Sequence, residues 1–254
     1  MTAVGTQALP PPAATKPPSA AEIAADYIRT LVFTGVLRTG AKVPVDDIAE
    51  MLRMSRQPVR DALIELAHDG LVVVDGRRGT FVAAFGPAAV RDHYELYGLL
   101  QSFAARRAAE RRDPAVVEQL RRLERAARDA PDHHRRRALM IEFNRQLNLA
   151  ADNSRLRMVV RAMTRFTPGD FYLTNVPDAA DRTLAGMRAL VRAIASGDGD
   201  RAAKEAIRNS TVAGRLLIDH LHAVGVFDSA DPASETTSST TSTTTSNTTA
   251  NREH

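Results

Sequence analysis

The sequence predicts a mainly α-helical protein, in which an N-terminal winged helix-turn-helix domain is followed by an all-α antiparallel helical bundle. Three observations support this fold class. Three amphipathic segments separated by short turns come first, between residues 19 and 70. Two short β-type runs then flank the turn DGRRG at 75–79. From about residue 88 onward, apolar residues recur only at helical spacing.

The first helix is predicted in the stretch SAAEIAADYIRTLVFTG, which begins at Ser19. Ser19 and Glu22 have the spacing of a capping box, in which each side chain accepts a hydrogen bond from the other residue's backbone. Apolar residues then repeat every three or four positions. Gly35 is a fitting stop, because glycine tolerates the left-handed conformation found at helix C-termini.

The second and third helices are predicted on either side of the turn RM. VDDIAEML places two acidic residues near the positive N-terminal end of a short helix. Ser55 is a good N-cap for the third helix, and Pro58 falls in its first turn, where a missing N–H costs little. Gly70 ends this helix, and the runs LVVV and TFVAAF then predict two strands. One apolar face comprises Val59, Ala62, Leu63 and Leu66.

The rest of the chain predicts helices alone, with separators such as SGDGD and TPGD. Short connections favour antiparallel neighbours, and hence a bundle. The predicted helices span 88–111, 114–129, 135–152, 155–167, 180–196 and 199–222.

The composition divides the chain into four regions. They are an arm at 1–18, a winged helix-turn-helix domain at 19–86, a helical domain at 87–226 and a tail at 227–254. The arm is rich in alanine and proline, and the tail in serine and threonine. We expect both to be disordered, because they have too little apolar surface to offset the entropy of ordering.

Composition also excludes several classes of protein. The 254 residues include no cysteine, which excludes disulfides, thiolate catalysis and cysteine-ligated metals. No stretch approaches the roughly 20 apolar residues of a membrane helix, and the N-terminus lacks the pattern of a secretory signal, so we expect no membrane association and a cytoplasmic location. The net charge is +4, but residues 1–86 hold nine basic and nine acidic residues, which cancel. A nucleic-acid site must therefore depend on where the charges lie.

The N-terminal end of the third helix carries Ser55, Arg56, Gln57 and Arg60. In a helix-turn-helix this end enters the major groove of DNA. Arg56 and Arg60 are four residues apart and share a face, and their guanidinium groups suit guanine O6 and N7 or a phosphate. Ser55, at the helix N-terminus, suits a phosphate oxygen.

The predicted wing adds Arg77 and Arg78 at its tip, with Gly79 and Thr80 beside them. A wing tip lies near the DNA backbone or minor groove, and the neighbouring glycines allow a close approach. The alternative is that Arg56 and Arg60 belong to an ordinary solvated helix face, with Asp61 and Glu65 as ion-pair partners. The combination of capped helix, turn and glycine-bounded hairpin favours DNA binding.

Residues 43–82, VPVDDIAEMLRMSRQPVRDALIELAHDGLVVVDGRRGTFV, resemble the DNA-binding domain of the GntR family of bacterial transcription regulators. The segment SRQPVRDAL matches that family's Ser-Arg-x-Pro-Val-Arg-(Glu/Asp)-Ala-Leu signature. The helical remainder resembles the FadR-type ligand-sensing domain, called FCD. The resemblance extends from residue 20 to about residue 225.

This resemblance implies a homodimer that binds a palindromic operator in double-stranded DNA, with an affinity altered by a small-molecule effector. It places DNA contacts on Ser55, Arg56, Arg60 and the wing around Gly79. Some relatives have a basic residue at the position of Asp46, so we expect that contact to be lost here.

Many FCD domains hold a divalent metal with one aspartate and three histidines. The corresponding positions here are Met140, Asn144, Met187 and Ser210, which do not form a site of hard oxygen and imidazole ligands. The sequence therefore predicts no metal and no cofactor.

The same comparison places Tyr97 and Gln101 where relatives often have arginine and glutamate. We therefore expect a more apolar effector. Its predicted contacts are Tyr97, Gln101, Met140, Asn144, Met187 and Ser210. The alternative is that these side chains simply fill the core, above all the two methionines.

The predicted function is a sequence-specific transcription regulator, with repression expected and no enzymatic activity. The sequence holds no nucleophile–base–orienter set, no glycine-rich phosphate loop after a strand and no HExxH. Two alternatives are an enzyme and a protein-binding adaptor, each of which would use the helical bundle. The effector, the operator, the direction of regulation and the role of the tail are not encoded in any recognisable pattern.

Overall fold

The computed structural model describes residues 18–84, 86–168 and 171–227. The predicted disordered arm and tail lie outside the described residues, except for Pro18 and Phe227. Within those residues the predicted fold class is confirmed, because three helices and a two-stranded antiparallel sheet precede a set of helices only.

The winged domain consists of three helices and two strands. They are α1 (Ala20–Phe33), α2 (Val45–Met51), α3 (Arg56–His68), β1 (Val72–Asp75) and β2 (Gly79–Val82). The predicted capping box at the start of α1 is confirmed: the Ser19 hydroxyl accepts from the Glu22 N–H at 3.2 Å, and the Glu22 carboxylate accepts from the Ser19 N–H at 2.8 Å.

Gly35 follows the end of α1 in the left-handed conformation, with φ of +76°. A Cβ atom at this position would lie 2.5 Å from the carbonyl oxygen of Val224, near the C-terminal end of the helical domain. Glycine is therefore required for the turn and for the close approach of the two domains.

Ser55 occupies the N-cap position of α3, as predicted, but its side chain makes no capping hydrogen bond. An N-cap side chain accepts from the backbone N–H of the second or third helical residue. The third residue of α3 is Pro58, which has no N–H. The Gln57 N–H is the other possible donor, and Ser55 does not accept from it, so the predicted cap is only positional.

The wing pairs Val72 with Val82 and Asp75 with Gly79 in an antiparallel register. The segment between α1 and α2 has no strand pattern in its sequence, but part of it extends this sheet. The Gly40 N–H donates to the Val82 carbonyl at 3.0 Å, and the Val43 N–H donates to the Thr80 carbonyl at 2.8 Å. These bonds hold residues 40–43 against the outer side of β2.

The helical domain contains seven helices in the described residues. They are α4 (Pro87–Arg111), α5 (Pro114–Arg128), α6 (His133–Ala150), α7 (Ser154–Met163), α8 (Phe171–Asn175), α9 (Ala179–Ser196) and α10 (Gly199–Ala223). Most predicted bounds lie within one residue of the observed ones, but the sixth helix is displaced by two residues at each end and the seventh ends four residues earlier than predicted. The sixth helix begins at His133 because the Asp132 carboxylate caps the Arg135 N–H at 2.8 Å. The seventh ends at Met163, and the short α8 was not predicted.

Helices α4 and α10 run antiparallel in close contact, because small residues lie between them. A Cβ atom on Gly98 would lie 3.1 Å from the Ser210 Cβ, and one on Gly214 would lie 2.8 Å from the Tyr94 Cβ. At the other end of the pair, Arg106 binds Asp200. A cavity lies beside this helix pair.

An apolar cluster shared by the two domains joins them. Phe33 of α1 contacts Phe166 and Phe171 edge-on, with ring centroids 5.7 and 5.5 Å apart. Leu217 and Leu221 of α10 are buried in the same cluster. Burial of this much apolar surface fixes the winged domain against the bundle.

Candidate DNA-binding surface and ligand cavity

The start of α3 presents Ser55, Arg56, Gln57 and Arg60 to solvent, as the sequence analysis expected. Arg56 is not a free cation, however. Its Nε atom lies 2.7 Å from the carboxylate of Asp46 on α2, and both side chains are largely exposed. The acidic residue that departs from some relatives thus binds one of the predicted DNA contacts.

Arg60 makes no ion pair with any described residue of the chain, so its guanidinium group is available to a ligand. The expected alternative partners are engaged elsewhere. Asp61 accepts a hydrogen bond from the Gln57 amide at 2.8 Å. Glu65 binds Arg29 at 3.2 Å and lies 3.7 Å from Arg165. Neither carboxylate neutralises the arginines at the start of α3.

Asp75 organises the tip of the wing. Its carboxylate accepts from the backbone N–H groups of Arg77 and Arg78 and from the Arg78 side chain at 2.7 Å. The hydrogen bond from the Arg78 side chain, followed by those from the two backbone N–H groups, holds the pKa of Asp75 below its ordinary value. Both arginine side chains remain exposed.

Gly79 begins β2 with φ of +111°, and Thr80 is half-buried next to it. A Cβ on Gly79 would lie 3.2 Å from the Cε atom of Lys42. Sequence reasoning missed Lys42, because the segment that carries it has no strand pattern. Its exposed ammonium group adds a third cation to the wing surface.

A cavity of about 330 Å³ lies in the helical domain. Its wall includes five of the six residues expected to contact an effector: Tyr97, Gln101, Asn144, Met187 and Ser210. The structure does not place Met140 there. Met140 is 1 % exposed and fills the apolar core with Leu139 and Phe143, whereas Asn144, one turn later, borders the cavity.

Gln101 is the most informative polar group of the wall. Its Nε2 atom is buried without a hydrogen-bond partner in the described residues, and Gln101 as a whole is 6 % exposed. Unpaired buried donors are rare in folded proteins, because each loses its hydration without compensation. This donor is suited to an acceptor atom of a bound molecule.

Aromatic groups complete the wall, and all remain neutral near pH 7. Burial raises the pKa of the Tyr97 phenol to about 12 and that of Tyr172 to about 12. Burial raises the pKa of Tyr94 further. Burial also lowers the pKa of His93 to about 4, so the imidazole is uncharged.

The wall contains two arginines, Arg182 and Arg208, and no carboxylate among its described residues. Arg208 already binds Glu205 at 2.7 Å, whereas Arg182 makes no ion pair with a described residue. Asn209 also borders the cavity, where Gly186 leaves room for its amide. Arg182 and Asn209 thus add a cation and an amide to the wall of a cavity for which we expected a more apolar effector.

The residues at the positions of the FCD metal ligands do not fit a divalent ion. Met140 lies in the apolar core, and Asn144, Met187 and Ser210 offer no carboxylate or imidazole. Within the described residues, no group of three or more histidine, aspartate or glutamate side chains could hold a metal. The absence of a metal stays a prediction.

Comparison with known families agrees with this geometry. Residues 20–82 match the model of bacterial regulatory proteins of the gntR family, and residues 92–210 match the FCD domain. The two matches are adjacent and together span most of the chain. The chain belongs to the GntR family. Its domain bounds at 19–86 and 87–226 stay predictions, because the family matches end inside them.

Curated GntR-like relatives are similar over part of the chain. An HTH-type transcriptional regulator of Mycobacterium tuberculosis is 34 % identical over 148 residues, which cover 58 % of this chain and 61 % of that protein. The HTH-type transcriptional repressor RspR of Escherichia coli is 32 % identical over 74 residues, which cover 29 % of this chain and 32 % of RspR. The match thus spans about three fifths of the mycobacterial protein and one third of RspR.

Solved structures share the fold. E. coli McbR/YncC superposes with a TM-score of 0.55 and 20 % identity, over 79 % of this chain and 98 % of that one. Lar of Listeria monocytogenes has a TM-score of 0.51 and 15 % identity, over 81 % and 99 % of the two chains.

Among the described helices, none has both the length and the apolar character needed to cross a bilayer.

Proposed function

We propose that the protein is a transcription regulator that binds a palindromic DNA operator and responds to a small molecule in the helical domain. The observation that carries this proposal is the start of α3, where Arg60 is exposed and without an ion pair in the described residues, next to Arg56. A helix-turn-helix presents this end of its second helix to the major groove. Chromosomal DNA as the target implies action in the cytoplasm.

The direction of regulation that we favour is repression. The name of the related E. coli protein RspR supports this choice, and its similarity covers 74 residues. We propose the same surface for DNA contact as the sequence analysis did, with one addition. The contacts are Ser55, Arg56, Gln57, Arg60, Arg77, Arg78, Gly79 and Thr80, together with Lys42.

A homodimer is supported by an apolar stripe on α4. Leu96 and Leu99 are each 57 % exposed and Phe103 is 42 % exposed, although the three lie on one helix face. An antiparallel pairing with a second copy of α4 would bury this stripe. A two-fold pairing of this kind is self-complementary, and it matches the symmetry of a palindromic operator.

The cavity is the effector site that we favour. Its volume is in the range typical of small-molecule sites. The unpaired Gln101 amide, the neutral phenols and Arg182 suit a ligand with hydrogen-bond acceptors, bound without a metal. Relatives that are named regulators support a sensing role rather than catalysis.

The proposal is tested by selecting DNA from a random duplex library with the purified full-length chain. We expect a palindromic sequence whose affinity falls steeply with salt, because phosphate contacts release counterions. Arg60→Ala should weaken binding by about 1–3 kcal/mol if Arg60 binds a base. Arg192→Ala, which removes an exposed arginine from α9, is the matched control and should change binding little. Selection of no sequence, or equal effects of the two substitutions, contradicts the proposal.

A further inference from the structure

The turn that follows α7 is a wall shared by two cavities. Met163, Thr164 and Thr167 line the 330 Å³ cavity of the helical domain. Arg165 and Phe166, which lie between Thr164 and Thr167 in the chain, line a second cavity of about 90 Å³. The rest of that small cavity comes from α4 and from the winged domain, including Arg29, Asp69 and Leu71. One turn, residues 163–168, therefore contacts both the candidate effector site and the DNA-binding domain.

A row of rings crosses this wall. His93 lines the large cavity and stacks on Phe166, with ring centroids 4.1 Å apart and planes inclined by 18°. Phe166 in turn contacts Phe33 edge-on, at 5.7 Å and 86°. Phe33 is the last residue of α1 in the winged domain. A displacement of Phe166 therefore changes its contact with His93 at the large cavity and its contact with Phe33 in the winged domain.

A chain of ion pairs connects the same turn to α3. The Arg165 Nη1 atom lies 3.7 Å from Glu65 Oε1, and that oxygen accepts from Arg29 Nη2 at 3.2 Å. Arg29 also donates to Asp69 at 2.7 Å. Glu65 lies on α3 and Asp69 is its C-cap, so Arg165 contacts the helix whose other end carries Arg60.

The contacts that hold the centre of the turn lie at the long end of their ordinary ranges. Its backbone bonds, from the Arg165 N–H to the Ala162 carbonyl and from the Phe166 N–H to the Met163 carbonyl, are both 3.2 Å long. The ion pair with Glu65 is longer than an ordinary charge-assisted hydrogen bond, and half of the Arg165 side chain is exposed. Such contacts give way more easily than the packed helices on either side.

We propose that the turn at 163–168 transmits occupancy of the large cavity to α3. The proposal rests on that cavity being the effector site. A bound molecule that contacts Thr164 or Thr167 displaces the turn, so that Phe166 leaves its stack on His93 and Arg165 leaves Glu65. The start of α3 then loses its fixed position relative to the bundle. In a dimer this changes the spacing of the two recognition helices, which must match successive major grooves.

The absence of cysteine from the chain allows a covalent occupant to replace the unknown effector. Ala185→Cys places one thiol on the exposed rim of the cavity, and benzyl methanethiosulfonate then adds a benzyl group there. Ala138→Cys, at an exposed position of α6 outside the cavity wall, is the matched control with the same chemistry. The readouts are the Kd for the DNA selected by the unmodified protein and hydrogen exchange in residues 163–168 and 56–69.

We expect benzylation at residue 185 to weaken DNA binding at least tenfold and to speed exchange in both segments. Benzylation at residue 138 should change the Kd less than twofold. The same benzylation at residue 185 is then repeated in an Arg165→Met, Phe166→Leu background, where it should change the Kd less than twofold. For this triple variant, mass spectrometry must show complete modification of the thiol, and a cooperative thermal transition must show that the protein is folded. Arg161→Met, an exposed arginine one turn earlier, should leave the tenfold response intact.

A tenfold response that survives in the double variant overturns the role of the turn and leaves the proposed function standing. Specific DNA binding that does not respond to benzylation at residue 185 also overturns it, together with the assignment of the cavity as effector site. Failure to select any DNA sequence overturns the proposed function itself.

Discussion

The winged domain and the helical domain differ in the exposure and in the pairing of the polar groups at their candidate sites. In the winged domain, the cations of the candidate DNA surface are exposed, and the buried Arg29 is paired with three carboxylates. In the helical domain, phenols, an imidazole and an amide surround a cavity, and the Gln101 amide nitrogen has no partner in the described residues. The difference reflects the ligands that each domain is proposed to bind.

DNA is a polyanion, and exposed cations can bind its phosphates without a large loss of their own hydration. A small molecule gains little from solvated groups, because water competes for every hydrogen bond. Desolvated donors that are already in place avoid that competition, since their hydration was lost when the protein folded. Substitutions should therefore separate the two domains: those at exposed arginines change binding alone, whereas those at buried polar groups also change stability.

The largest expected effect is that of Arg29→Met, which tests this separation inside the winged domain. Arg29 is 3 % exposed and lies 2.7 Å from Asp69 and 3.2 Å from Glu65. Its removal takes the nearest cation from Asp69 and leaves Glu65 with only the more distant Arg165, so we expect a loss of about 3 kcal/mol in the free energy of unfolding. Urea denaturation measures the change. Arg60→Met is the control and should cost less than about 0.5 kcal/mol; equal losses for the two arginines would contradict the contrast.

The next effect is a pH dependence that originates in the helical domain. Burial lowers the pKa of His93 from 6.5 to about 4. Between these values the unfolded chain binds a proton that the folded protein does not, so stability falls as the pH drops from about 6.5 to 4. We expect His93 to contribute about 2 kcal/mol of this loss, since its ring is partly solvated. The difference between wild type and His93→Gln in urea melts at pH 7 and pH 4.5 isolates this contribution, and identical pH profiles would exclude it.

Local sequence signals predicted much of the winged domain. The capping box at Ser19, the stop at Gly35 and the glycine-bounded wing each follow from interactions within a few residues. Ser55 is instructive, because Pro58 three residues later removes one of the two N–H groups from which its hydroxyl could accept a hydrogen bond. The loss of that donor was readable in the sequence.

Contacts between distant segments could not be predicted in this way. The pairing of Arg165 with Glu65 joins residues 100 positions apart, and periodicity carries no signal for it. Lys42 reaches the wing only because an irregular segment pairs with β2. The gathering of Tyr97 and Ser210 at one cavity followed from the family resemblance, since the two lie on different helices.

The smallest expected effect, that of Asp46→Asn, sharpens the comparison at the DNA surface. Asp46 binds Arg56 at 2.7 Å, so part of the cationic surface is neutralised before DNA arrives. An exposed ion pair of this kind is weak, and its loss should barely change stability. DNA must displace Asp46 to reach Arg56, and Asp46 also repels phosphate. We therefore expect Asp46→Asn to tighten binding to the selected operator by about threefold to tenfold and to make the salt dependence steeper.

The control for this effect is Arg56→Ala in both backgrounds. If Asp46 acts by holding Arg56, the gain from Asp46→Asn should shrink to less than about twofold once Arg56 is absent, because the two substitutions then share one interaction. A gain that persists in the Arg56→Ala background would show that Asp46 acts on DNA through its charge alone. The ion pair between Asp46 and Arg56 would then be incidental to DNA binding.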